Sequence, residues 1–234
     1  RFSHVVGRLK SGVAVATARA DLESIARQIA ADSAATNAGW SVTVAVMTGH
    51  GEREHPIWPR ETWDRIRGEA AKACAVLGVA DLLFEELPAS CLDLHPTHET
   101  NDTVAKLLAR IEPEAVYIPF VHDLHRDHYA IAYATQVAAR PYRTPYVKML
   151  AMYETPTETH LRPGEAAMAF VPNEFVDISD HFAAKLKAWD QYESQHLPGY
   201  SPRSPDALAS LAGFRGAYIG ARYGEGFQLL FRRS

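Results

Sequence analysis

Between Val116 and His128 the chain reads VYIPFVHDLHRDH. Val, Tyr, Ile and Phe alternate in a mostly apolar run that favours a buried strand. His122, Asp123, His125, Asp127 and His128 follow without a spacer. A buried strand that opens directly into a polar loop is the pattern of a parallel α/β sheet, where ligands lie in the crevice beyond the carboxyl ends of the strands. Asp127 reads as the start of a helix, with Tyr129, Ala130, Ala134 and Val137 on its apolar side. On that helix a spacing of three turns His125 and His128 to the same side. Imidazole nitrogens bind zinc, and a carboxylate among them can orient a ring or bridge to water. A polar surface loop could hold the same residues, but so dense a cluster after a buried strand favours a site.

Other segments can be placed from this centre. SVTVAVMT from Ser41 is a strand, followed by a loop carrying His50, Glu52 and His55 at the same sheet edge. A helix is expected from Glu61 to Leu77, stopped by Gly78. ADLLFEEL is a third strand, residues 101–111 a further helix ended by Glu112-Pro113, and YVKMLAMYE another strand. An amphipathic helix over 181–193 turns Phe182, Leu186 and Trp189 inward, Ser204 or Asp206 caps a helix towards Tyr218, and GFQLLFR closes the chain. His50 and His55 read as solvated loop residues, Asn173 and Asp177 as turn formers, and Tyr218 and Tyr223 as rim or core aromatics.

At 234 residues and 47 % hydrophobic content, the chain can bury one sizeable core. A net charge of -4 argues against a nucleic-acid footprint. No apolar run approaches the ~20 residues of a membrane span, and no signal peptide is visible. Two cysteines give no disulfide framework, so a cytoplasmic protein with a buried Cys74 is the expectation.

The run PFVHDLHRDHYAI resembles the second motif, His-x-Asp-His, of the PIG-L (LmbE-like) zinc N-acetylglucosaminyl deacetylases. MTGHGERE, RGEAAKACAVLGV, FEELP, YETP, VPNEFVDIS, KLKAWDQYESQ and RGAYIGARYGEGF resemble that family in the same order, over about residues 42–232. The resemblance implies one zinc ion, a water made nucleophilic on it, and hydrolysis of the acetamide of a small amino-sugar substrate. It implies a Rossmann-like three-layer α/β sandwich with a mostly parallel sheet and a small C-terminal substrate-facing subdomain, whose edge would be VPNEFVDIS. By correspondence His128 is a zinc ligand, His125 stabilises the oxyanion and protonates the leaving amine, and Asp127 fixes a histidine ring. Glu52, Arg67 (or Arg65), Asp123 and Tyr218 would face the sugar. Ala89 and Ser90 stand where the family usually shows Asp-Gly, with Asp93 the nearest substitute.

Residues 1–40 depart from this pattern. The family carries His-Pro-Asp-Asp at the end of its first strand. If GVAVAT is that strand, Ala18 and Ala20 stand where the zinc histidine and the general-base aspartate belong, and Asp21 alone survives as a ligand. Catalytic zinc takes three protein ligands and a water. Residues 1–44, with a strand and a helix over 18–35 carrying Leu22, Ile25 and Ile29, instead resemble the periplasmic core domain of macrolide-exporter-type ABC permeases. That resemblance implies a fusion with its seam near 39–44, an atypical segment 1–40 and a deacetylase domain 41–234. Two functions follow. One is a zinc deacetylase completed by His50, His55, His122 or Asp123; the other is a catalytically inactive or chimeric member of the fold. Either is compatible with a homo-oligomer.

Overall fold

The computed structural model describes residues 4–9, 40–51, 55–161 and 168–233. The expected strand GVAVAT, the helix over 18–35, Asp21 and Glu52 lie outside the described residues. Strands β1 (His4–Leu9), β2 (Ser41–Gly49), β3 (Asp81–Pro88), β4 (Ala115–Pro119), β5 (Met149–Tyr153), β6 (Glu174–Asp177) and β7 (Gly224–Arg232) form one 7-stranded sheet in the order β3-β2-β1-β4-β5-β7-β6. The helices are α1 (Arg60–Leu77), α2 (Thr97–Ile111), α3 (Arg126–Ala138), α4 (Phe182–Trp189) and α5 (Pro205–Ala217).

The sheet is mixed, which corrects the expectation of a mostly parallel one. Only β2 with β3 and β4 with β5 pair in parallel; the other pairings are antiparallel. Because β1 runs antiparallel to both β2 and β4, those two strands share a direction. The carboxyl ends of β2, β3, β4 and β5 therefore meet at one edge. Leu9 pairs with Ser41, the first residue of β2, so the chain leaves β1 at the opposite edge. The apolar patterning of β1 marks a strand but carries no direction, so its reversal was not legible. β6 is the sheet's edge strand rather than the border of a separate subdomain.

Alternation along β4 divides the layers. Val116 and Ile118, with Met47, Leu150 and Met152, face α2 and α3 and close a core around Val104, Leu107, Leu108 and Ile131. Tyr117 points the other way, towards α4, α5 and the end of α1, which line a cavity over that face. The ends of α1 follow the sequence: Gly78 adopts φ 67 and returns its N–H to Cys74 and Ala75. Ser204 caps α5 by accepting from the Ala207 N–H, with Pro205 at the first helical position. The RGAYIGARYGEGF segment packs α5 onto β7 through glycines. A Cβ on Gly216 would lie 2.6 Å from the Ala221 carbonyl oxygen, and one on Gly224 2.8 Å from the Gly216 nitrogen.

Candidate active site

The crevice is built from four loops at the shared carboxyl edge. His125, not Asp127, caps α3: its Nδ1 accepts from the Asp127 N–H at 3.2 Å. The helix buries Ile131, Ala132, Ala134, Thr135 and Ala138, whereas Tyr129 is exposed and stacks on Tyr133. The expected apolar side is thus rotated, because α3 packs against both β4 and α2. His125 and His128 lie with ring centroids 5.3 Å apart.

The hydrogen bonds give the two rings opposite tautomers. His128 donates from Nδ1 to the Asp123 carboxylate at 2.7 Å, which leaves Nε2 as its unprotonated nitrogen. Thr159 donates to the other Asp123 oxygen at 2.6 Å and accepts from the Thr155 N–H at 2.7 Å. Asp123 is 3 % exposed and has both oxygens engaged, so it orients His128 rather than facing a sugar. His125, with Nδ1 accepting, carries its proton on Nε2, 3.5 Å from the Ser90 hydroxyl. One ring offers a lone pair and its neighbour a proton.

The ring-orienting role expected of Asp127 thus falls to Asp123. Asp127 accepts from the Ser90 N–H at 2.5 Å and the Leu92 N–H at 3.3 Å, pinning the loop after β3. Ser90 has φ 60, in the left-handed region that suits the glycine of the family's Asp-Gly and costs another residue roughly 1–2 kcal/mol. The Asp127 bond holds it there. Asp127→Ala leaves both N–H groups without this acceptor and is expected to cost roughly 1–3 kcal/mol, read from the urea midpoint at unchanged m.

Other expected residues are placed elsewhere. His50 and His55 are buried, not solvated. His55 accepts at Nδ1 from the Ile57 and Trp58 N–H groups and donates from Nε2 to the Ala89 carbonyl at 2.8 Å, so both nitrogens are occupied. His50 accepts at Nε2 from the His55 N–H, 3.3 Å away. His122 meets the Phe120 ring edge-on. Arg67 pairs with Glu86 and lies over Phe84, and Asp93 pairs with Arg126. Tyr218 ends α5, is 60 % exposed and stacks on Phe175. Tyr223 stacks on Phe182.

Glu158, Tyr192, Gln195 and Arg203, which carry no separate signal in the sequence, shape the cleft beside His128 and Trp189. His128, Glu158, Trp189, Tyr192 and Arg203 line a cavity of about 230 Å³ that ends at Gln195. A second cavity of about 500 Å³ begins at Gln195 and is bounded by Ser90, Trp63, Arg65 and Ser194. Arg203 donates to Gln195 and to Thr157. The buried carboxylate of Glu69 on α1 receives the Ser194 N–H and hydroxyl, anchoring that wall. Burial pushes the Tyr192 hydroxyl pKa up, keeping it a neutral donor.

A zinc site needs more than this. Among the described residues no three His, Cys, Asp or Glu side chains gather closely enough to hold a metal ion. His128 offers one nitrogen of the right tautomer, and a single imidazole is too few ligands for zinc.

The family model for PIG-L, GlcNAc-PI de-N-acetylase, matches residues 21–139, just over half of the sequence. The chain belongs to the PIG-L family. The match starts inside the stretch read as permease-like, and the comparisons give that fusion no support. Among solved structures, a conserved protein of Thermus thermophilus is 24 % identical, with a TM-score of 0.64 over 90 % of this chain and 88 % of that one. The N,N'-diacetylchitobiose deacetylase of Pyrococcus horikoshii is 22 % identical, with a TM-score of 0.60 over 88 % and 76 %. The 4-carboxy-2-hydroxymuconate hydratase of Pseudomonas putida is 19 % identical, with a TM-score of 0.62 over 89 % and 90 %. These likenesses establish the fold, which carries more than one chemistry. No functionally curated protein matches the chain in sequence. Among the described residues no helix is long and apolar enough to cross a membrane.

Proposed function

We propose that this PIG-L protein is a hydrolase that removes the N-acetyl group from an N-acetylglucosamine-type amino sugar. The observation that supports it is the pair of imidazoles in opposite tautomers at one crevice, His128 with a lone pair at Nε2 and His125 with a proton at Nε2. Hydrolysis of the acetamide needs both. Water adds to the carbonyl carbon, the oxygen becomes anionic, and the C–N bond breaks as the nitrogen takes a proton. His125 Nε2–H donates a hydrogen bond to the oxyanion, the proton that the nitrogen takes is the one the attacking water releases, and acetate carries away the water oxygen. Asp123 holds His128 in register throughout. Zinc, which the family resemblance implies, would supply an activated water, with His128 as one ligand. Among the described residues no three-ligand group completes the set.

A second reading, a catalytically silent member of the family, is favoured by the absence of a three-ligand cluster among those residues and by the reversed β1. Acetate release from N,N'-diacetylchitobiose and methyl N-acetyl-β-D-glucosaminide, with and without added zinc, separates the two. The hydrolase is expected to release acetate and amine in equal amounts and to carry zinc that is lost in His128→Ala. No acetate from either substrate at any zinc concentration overturns the proposal.

A further inference from the structure

Among the described residues only Ser90 and Glu112 hold a positive φ without being glycine. Glu112 does so as the residue that ends α2, its N–H returned to the Leu108 carbonyl. Ser90, at φ 60, ends no helix. A glycine would take this conformation freely, whereas an L side chain is strained in it. The bonds around Ser90 hold it there. The Ala89 N–H donates to the Gly49 carbonyl at 3.0 Å, the Ala89 carbonyl accepts from His55 at 2.8 Å, and the Ser90 N–H donates to Asp127. Strain of this kind persists where the surrounding structure over-determines it, and it gathers at active sites. What the strained residue presents is a hydroxyl, 3.5 Å from Nε2 of His125 and on the wall of the cavity that begins at Gln195. Asp127 fixes both members of this pair. Its N–H holds Nδ1 of His125 at 3.2 Å, and its carboxylate holds the Ser90 N–H at 2.5 Å. One buried residue thus sets the imidazole proton and the serine hydroxyl side by side before any substrate arrives. Groups 3.5 Å apart can both donate to one oxygen lying about 2.8 Å from each, since a hydroxyl rotates to face its acceptor.

We infer that the Ser90 hydroxyl is a second donor to the oxyanion, acting beside Nε2–H of His125, and that the left-handed backbone at Ser90 is kept for that hydroxyl. This rests on the hydrolase reading for the reaction, and its test separates the two. Ser90→Gly and Ser90→Ala are compared with the wild type, each as the intact protein, for Tm and for acetate release from methyl N-acetyl-β-D-glucosaminide. Calorimetry compares binding of that acetamide with binding of its tetrahedral, anionic methylphosphonamidate counterpart. Ser90→Gly is expected to raise Tm by about 2–4 °C as the strain is relieved, yet to lower kcat by ~10²–10³ with KM changed only a few-fold. Ser90→Ala, which keeps the strain and loses the hydroxyl, should match the low kcat without the gain in Tm. Both variants are expected to bind the acetamide as the wild type does and the phosphonamidate about tenfold or more weakly. A purely structural serine would move Tm and kcat in the same direction. Wild-type kcat and phosphonamidate affinity in Ser90→Gly, or a loss of kcat that comes with a lower Tm, overturns the inference. Should the wild type release no acetate but prefer the phosphonamidate to the acetamide, and lose that preference in Ser90→Gly, the donor pair stands and the hydrolase reading falls. A wild type that shows neither acetate release nor that preference overturns both.

Discussion

His125→Ala is expected to lower kcat for amide hydrolysis by ~10²–10⁴ while KM changes only a few-fold. The split follows from the tautomer. The Asp127 N–H occupies Nδ1, so the only proton the neutral ring can give is on Nε2, beside Ser90. A hydrogen bond to the developing oxyanion stabilises the transition state more than the bound substrate, which places the loss in kcat. The ring also caps α3, so the substitution carries a stability cost of about 1 kcal/mol. His125→Asn keeps a capping oxygen for the Asp127 N–H but places no N–H where Nε2 stands. It should restore the melting temperature and leave kcat low. If instead KM rises and kcat holds in both variants, His125 binds substrate without stabilising the oxyanion.

The histidine loop and its strand were legible because apolar alternation followed by clustered ionisable groups is a local pattern, and His128 lies in the first turn of the helix that His125 caps. The helix ends at Gly78 and Ser204 were legible for the same reason, since caps are set within a few residues. What failed was long-range. No periodicity says that β1 enters between β2 and β4 in reverse, and no spacing says that Asp123 rather than Asp127 faces the His128 ring. That choice depends on Thr159, 36 positions away, and on the loop after β3 drawing Asp127 towards Ser90 and Leu92. His50 and His55 looked solvated because their loop is rich in Gly, Pro and Glu. His55 is buried because it bonds the backbone of two loops together, and His50 because it accepts from the His55 N–H, roles that leave no trace in composition. Arg215 opens the segment RGAYIGARYGEGF, which resembles the family, and the aromatic Tyr218 three residues on is its more conspicuous residue. The glycines around it were the available signal, since only close approach of α5 to β7 buries a guanidinium there.

Glu154→Gln is expected to destabilise the protein by ~3–5 kcal/mol, a fall in Tm of roughly 6–20 °C for a chain of this size. Arg215 is 6 % exposed and donates from Nε and Nη2 to the two Glu154 oxygens, each at 2.7 Å; His160 adds a third bond at 2.7 Å. Burial alone raises the Glu154 pKa, yet the hydrogen bonds from Arg215 and His160 outweigh it and bring the carboxyl below its ordinary value. The same pairing raises that of Arg215 against its own desolvation. A carboxyl whose folded pKa is depressed stabilises the fold at every pH above its unfolded value of ~4.3, and that contribution disappears as pH falls through the lower folded value. The gap between wild type and Glu154→Gln should therefore be full at neutral pH and close only in acid below pH ~4. Most of the loss comes from leaving a buried guanidinium without its counterion, not from the net worth of the pair. Removing both charges in Glu154→Gln, Arg215→Met should accordingly recover much of the stability that the single substitution loses. A single substitution costing under about 1 kcal/mol would mean that water reaches the pair, and the apolar wall beside Leu211 and Ala212 would then be wet as well.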